Sequence, residues 1–126
     1  MKKILIVDDD VRLTTMLRKM LEAMGSYEVM TADSGKGALA AATIFMPDLA
    51  ILDIMMPGMD GGEVASALKM NPNTRNVRIL FLTSLVSRKE QSSRGSQEAQ
   101  SASHSYLAKP VDPQELFLRV EALLSE

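Results

Sequence analysis

Four aliphatic residues, Ile4-Leu5-Ile6-Val7, run without a break into three aspartates, Asp8-Asp9-Asp10. A continuous β-branched and aliphatic run of this length is the pattern of a strand buried on both faces, as in a parallel sheet covered by helices. The aspartates also exclude other readings of a start such as Met1-Lys2-Lys3. Four apolar residues are too few for the hydrophobic stretch of a signal peptide or for a membrane span.

The rest of the chain repeats this alternation of short apolar runs and segments of helical period. Val11 to Met24 places Leu13, Met16, Leu17, Met20, Leu21 and Met24 on one face, with Arg12, Arg18, Lys19 and Glu22 largely opposite, and Gly25 ends it. Tyr27 to Ala32 reads as a second strand. Ser34 to Phe45 reads as a helix with a small packing face of Ala38, Ala41 and Ala42, closed by Phe45 and stopped by Pro47. Leu49 to Leu52 is a strand, Gly61 to Lys69 a helix with Asp60 as its N-cap, and Val77 to Leu82 a fourth strand. Tyr106-Leu107-Ala108 is a short fifth strand. Asp112-Pro113-Gln114-Glu115 predicts a capping box with proline at the first helical position, opening a last helix that uses Leu116, Val120, Leu123 and Leu124.

One segment departs from the pattern. Ser87 to Ser105 has no large aliphatic or aromatic side chain, and serine recurs at 87, 92, 93, 96, 101, 103 and 105. Serine competes for backbone hydrogen bonds, so the segment reads either as a poorly anchored, mobile helix or as an ordinary surface helix whose contact face is alanine alone, Ala99 and Ala102. Five strands alternating with five helical segments make an α/β fold, a parallel sheet covered on both faces. At 126 residues, with no linker and no internal repeat, the chain is one domain.

In such a sheet, ligands bind beyond the carboxyl ends of the strands. Asp8-Asp9-Asp10 follows the first strand, Asp53 the third, Thr83-Ser84 the fourth and Lys109 the fifth. Topology alone therefore brings at least three carboxylates, a hydroxyl and an ammonium to one edge. Carboxylates that close repel by about 4 kcal/mol per pair at ~4 Å and an effective dielectric near 20, so the cluster calls for a cation, a shared proton or solvent. Oxygen-only ligands beside water suit a hard ion such as Mg²⁺. The plainer role, capping the first helix, falls to Asp10.

Composition narrows the chemistry further. Cysteine is absent, which rules out disulfides, thiolate zinc and a cysteine nucleophile. The single histidine, His104, rules out His-pair metal sites and lies in the serine-rich segment, as an exposed residue with no catalytic part. A net charge of −2 implies no basic patch, so nucleic acid is not expected as a direct ligand. The expected setting is the reducing cytoplasm, with no membrane insertion. Met55, Met56 and Met59 beside hard carboxylates fit a soft metal such as copper poorly; gap-filling around the loop, with an exposed remainder for a partner, accounts for them better.

In this order and at these separations, four pieces of sequence are highly specific together: Ile4 to Asp10; Pro47-Asp48-Leu49 leading into Leu52-Asp53-Ile54-Met55-Met56-Pro57-Gly58-Met59-Asp60-Gly61; Leu82-Thr83-Ser84; and Tyr106-Leu107-Ala108-Lys109-Pro110. From Lys2 to about Leu124 the chain resembles the receiver domain of two-component response regulators. The resemblance implies a flavodoxin-like (CheY-like), doubly wound five-stranded parallel sheet of strand order 2-1-3-4-5 with five helices. It implies Asp53 as phospho-acceptor and Mg²⁺, with Mn²⁺ as a substitute, held by Asp9 and Asp53 directly, by Asp8 largely through water, and by the Met55 backbone carbonyl. Thr83 is then the phosphoryl-binding hydroxyl, Lys109 the pairing cation before a cis Pro110, and Tyr106 the aromatic switch that turns inward when Thr83 moves. The implied partners are a sensor histidine kinase or phosphotransfer protein and a downstream protein target met by the face of the serine-rich segment, last strand and last helix. The state is a monomer or a phosphorylation-dependent dimer.

In this family the residues two beyond the acceptor and two beyond the threonine tune loss of the phosphoryl group. Here they are Met55 and Leu85, neither able to orient a water by hydrogen bonding, so slow self-dephosphorylation is expected. Two departures stand out. Thr83 and Lys109 are 26 positions apart, more than in typical receivers, and the usual Gly-Ala pair before the aromatic appears as Ala102-Ser103. The chain also ends with its last helix, so the expectation is a receiver without an output domain, stand-alone or excised. Three readings compete with it. A haloacid-dehalogenase-like phosphohydrolase also uses Mg²⁺ and a post-strand aspartate, but needs a second acid where Met55 stands. A flavodoxin-like cofactor binder needs a first loop of Ser, Thr and Gly donors, whereas Asp8-Asp9-Asp10 repels a phosphate. A degenerate receiver requires a missing acceptor or lysine, and both are present.

Overall fold

The computed structural model describes residues 1–84 and 105–125. Five strands, β1 (Lys2–Val7), β2 (Tyr27–Ala32), β3 (Leu49–Asp53), β4 (Arg78–Thr83) and β5 (Ser105–Ala108), form one parallel sheet of order β2-β1-β3-β4-β5. Four described helices cover it: α1 (Val11–Met24), α2 (Gly35–Phe45), α3 (Gly61–Met70) and α4 (Pro113–Leu124). No helix among the described residues is long and apolar enough to cross a membrane. The helix expected over Ser87 to Ser105, with His104 and Leu85 nearby, lies outside the described residues, except that Ser105 already belongs to β5.

Alternation along each strand divides the core in two. Ile4, Ile6, Ile51, Leu80, Leu82 and Leu107 point to one face and pack with Leu17 and Leu21 of α1 and Leu116 and Val120 of α4. Leu5, Val7, Leu52, Ile79 and Phe81 point to the other, under Ala38 and Ala42 of α2 and Val64, Ala65 and Leu68 of α3. The central strands are therefore apolar at consecutive positions, because both of their faces are covered. The alanine face of α2 matches the sequence reading.

The stripe of α1 is narrower than expected. Met16 and Met24 are 47% and 46% exposed, while Thr14 is buried and its hydroxyl donates to the Val11 carbonyl at 3.1 Å. A helix lying on a sheet buries about a third of its circumference, and a six-residue stripe overfills it. The complete capping box is also elsewhere: Asp60 and Glu63 exchange side-chain to backbone bonds at the start of α3. At α4, the Asp112 side chain accepts from Gln114 and Glu115, with Pro113 in the first turn. Asp10 and Ser34 cap α1 and α2, as the sequence predicts for Asp10.

Candidate metal and phosphoryl centre

The parallel register carries four strand ends to the same rim. β1 ends at Val7, and the next residue, Asp8, is fully buried, its N–H donating to the Ala32 carbonyl at 3.2 Å. Its Oδ1 accepts the Asp10 N–H at 2.9 Å, so the first turn of α1 and the buried acid hold each other. β3 ends on Asp53 itself, 3% exposed, whose Oδ1 accepts the Met55 N–H at 3.2 Å. β4 ends on Thr83, 1% exposed, paired in register with Ala108. The Thr83 carbonyl then accepts the Lys109 N–H at 2.8 Å. That bond pins the Lys109 backbone to β4 while its ammonium crosses to Asp8 Oδ2 at 2.8 Å and Asp53 Oδ1 at 3.5 Å. The Lys109–Pro110 peptide is cis.

Asp8, Asp9 and Asp53 each offer an oxygen, and the three atoms lie within 4.8 Å of one another. Asp9 is the exposed member. Burial and the neighbouring Asp8 hold the Asp53 carboxyl above the ordinary 3.8, only partly countered by Lys109 and the Met55 N–H. Burial alone pulls the Lys109 ammonium down, but the hydrogen-bonding and charge of Asp8 and Asp53 outweigh it and push its pKa up. Three carboxylates against one ammonium leave a formal charge of −2 in a partly buried space. Asp8 Oδ2 is buried and faces the Lys109 ammonium at 2.8 Å. An all-oxygen donor set of net charge −2, one member open to water, fits a hard divalent cation.

Tyr106 pairs in register with Phe81 and stacks on it, ring centroids 5.2 Å apart and planes inclined by 28°. Thr83, two residues along from Phe81, lies on the same face of the sheet. The Tyr106 carbonyl accepts from Arg119 Nη1 of α4 at 3.1 Å, which ties the aromatic strand to the last helix. Asp8, Asp9, Asp53, Thr83 and Lys109 thus lie on this rim, and Tyr106 directly beneath it. Met55 is 56% exposed and Met56 7%, so only the first is available at the mouth.

Residue chemistry alone did not reveal two glycines. Gly58 adopts φ +79° in the loop after Asp53, a left-handed turn that a side chain disfavours. Gly61 presses on the backbone of Asp53: a Cβ there would stand 2.9 Å from the Asp53 carbonyl carbon and 3.0 Å from Ile54 Cα. The signal was present as two glycines flanking Met59-Asp60 in the loop after Asp53.

With this geometry established, relatives can be compared. The family model for the response regulator receiver domain matches residues 4–121. Response regulator PleD of Caulobacter vibrioides is 40% identical over 96% of this chain and 26% of its own length. The alkaline phosphatase synthesis transcriptional regulatory protein PhoP of Bacillus subtilis is 36% identical over 98% of this chain and 48% of its own. The chain thus spans about a quarter to a half of these relatives. Among solved structures, chemotaxis protein CheY4 of Vibrio cholerae superimposes with a TM-score of 0.82 at 33% identity, covering 98% of both chains.

Proposed function

The chain belongs to the response regulator receiver domain family, a family of signalling switches, and on that premise we propose that it is the phosphorylation-driven switch of a two-component phosphorelay. Asp53 is the phospho-acceptor. Its carboxylate oxygen attacks the phosphorus of a phosphohistidine on a sensor kinase or phosphotransfer protein; the O–P bond forms as the P–N bond breaks, and the electron pair returns to the imidazole. Asp9, Asp53 and the Met55 carbonyl hold Mg²⁺ or Mn²⁺, with Asp8 joining largely through water. When bound, the ion offsets charge on the transferring oxygens. The Lys109 ammonium pairs with the incoming phosphoryl group, and the Thr83 hydroxyl donates to it.

Output follows from a population shift. Taking a switch from mostly off to mostly on needs about 5.5 kcal/mol of differential stabilisation, much of it available from new phosphoryl contacts to Thr83 and Lys109. As Thr83 is drawn to the phosphoryl group, the Tyr106 ring turns inward, and the face of β5 and α4, with the preceding serine-rich segment, is remodelled for a downstream protein. The exposed Met55 side chain orients no water, so the acyl phosphate is lost slowly.

The observation that carries this reading is the gathering of the Asp8, Asp9 and Asp53 oxygens within 4.8 Å, with the Lys109 ammonium 3.5 Å from the acceptor. The test is incubation with Mg²⁺ and acetyl phosphate followed by intact mass. One phosphoryl increment, lost in Asp53→Ala, is expected; an unmodified wild type overturns the reading. Catalytic turnover of p-nitrophenyl phosphate would instead favour a phosphohydrolase, and a phosphoryl half-life of seconds without a phosphatase would refute the slow loss.

A further inference from the structure

The loop after the acceptor is closed by the Gly61 N–H, which donates to the Ile54 carbonyl at 3.1 Å. Its outer side rests on a different helix. Met59 packs against the core beneath α2 and α3, and Gly35, the first residue of α2, lies against it. A Cβ on Gly35 would stand 2.6 Å from Met59 Cβ, 2.8 Å from its Cγ and 2.9 Å from its carbonyl oxygen. Two of those atoms are fixed by the backbone, so no rotamer of Met59 clears the space. The start of α2 is held as well: Ser34 Oγ accepts the Gly37 N–H at 3.1 Å, and Ala38 and Ala42 are fully buried. Gly37, two residues on, differs: a Cβ there would meet Ser34 Oγ at 3.1 Å and Ala32 Cβ at 3.9 Å, and no atom of the loop within 4 Å. The absence of a side chain at position 35 therefore serves the loop rather than the helix.

We infer that Gly35 is a positioning residue of the phosphoryl centre: the bare start of α2 seats the Met59 backbone and thereby fixes the loop that carries Met55 beside Asp53. This rests on the reading of Asp53 as acceptor and of the Met55 carbonyl as a metal ligand. The route is short. The Met55 N–H holds Asp53 Oδ1 at 3.2 Å, so a displaced loop moves both the acceptor carboxylate and the carbonyl beside it. Misplacement of reacting groups by about 1 Å costs on the order of 100-fold in rate, and a shift of about half an ångström correspondingly about tenfold.

The test compares wild type, Gly35→Ala, Gly37→Ala and Gly35→Ala/Met59→Gly as full chains. Far-UV circular dichroism reports folding, and amide exchange of Met59 and Asp60 in metal-free protein reports the seat. A Mg²⁺ titration followed by NMR gives the midpoint, and acetyl phosphate labelling at saturating Mg²⁺ gives the rate. Gly35→Ala is expected to fold, to exchange the Met59 and Asp60 amides faster, and to show both a Mg²⁺ midpoint and a labelling rate worse by about tenfold. Gly37→Ala should match wild type in all four measurements, and the double variant, which removes Met59 Cβ and Cγ but leaves its carbonyl oxygen, should regain part of the loss. A folded Gly35→Ala with wild-type midpoint and rate overturns the inference. So does a double variant that recovers nothing. If Gly35→Ala does not fold, a folded and labelled double variant supports the Met59 clash, and an unfolded one overturns it. A wild type that takes up no phosphoryl group sinks the proposed function instead, and the exchange and Mg²⁺ readouts still decide the role of Gly35.

Discussion

Replacing Lys109 with Met removes an ammonium that faces two buried carboxylates, at 2.8 Å from Asp8 and 3.5 Å from Asp53. At an effective dielectric near 20, unit charges at those separations attract by about 6 and about 5 kcal/mol. Much of that is offset by the cost of stripping water from the three ions. Breaking a fully buried pair nets about 3 to 5 kcal/mol, and because the Lys109 side chain is 23% exposed, solvent screening lowers this to about 2 to 3 kcal/mol here. The expected result is a metal-free variant less stable by that amount in urea unfolding with a chelator present. The substitution also takes the cluster from a formal charge of −2 to −3, so a divalent cation is held more tightly. Mg²⁺ should therefore stabilise Lys109→Met by more than it stabilises wild type, narrowing the gap between them. Coincident unfolding midpoints in chelator would mean that Lys109 behaves as an ordinary solvated lysine. Equal stabilisation of both proteins by Mg²⁺ would refute the claim that ammonium and metal answer the same negative charge.

Asp53→Asn removes a carboxylate whose ionised form is disfavoured by burial and by Asp8, so the metal-free variant should be more stable than wild type at neutral pH, and Mg²⁺ should stabilise it less, both read from thermal melts. Gly61→Ala drives a methyl group into the Asp53 and Ile54 backbone and should cost about 1 to 3 kcal/mol in chemical denaturation, together with slower acetyl phosphate labelling. Tyr27 donates its hydroxyl to the Glu121 carboxylate of α4, and Tyr27→Phe should lose about 1 to 2 kcal/mol. Burial and that bond raise the Tyr27 phenol from 10.0 to about 12. The folded chain therefore keeps this proton after the unfolded chain has lost it, so the Tyr27 contribution is intact below pH 10 and declines as pH rises from 10 toward 12. Tyr27→Phe should flatten that part of the stability profile.

The sheet and its acidic rim were legible because they depend on order along the chain. An apolar run followed by a polar residue fixes both a strand and the edge at which it ends, so Asp8, Asp53, Thr83 and Lys109 could be gathered without coordinates. Packing between elements was less legible. Six apolar positions on α1 satisfy a helical period, but the sheet accepts only part of that arc, and Thr14 takes a place that composition assigns to Met16. Asp60-x-x-Glu63 and Asp112-x-x-Glu115 present the same capping pattern, and only the geometry shows the complete reciprocal exchange at the first. The demands on Gly35 and Gly61 come from atoms of residues that no local pattern links to them.

Arg119 grips the carbonyl of Tyr106 and not its ring. A backbone handle of this kind is indifferent to side-chain rotation, so a turn of the Tyr106 ring would leave α4 tethered to its strand. On the proposed switch, a signal leaving by this face would be written in relief on a stationary helix, as a cavity opened or a ridge withdrawn. A recipient would read it by shape, with no rigid-body displacement of the scaffold required.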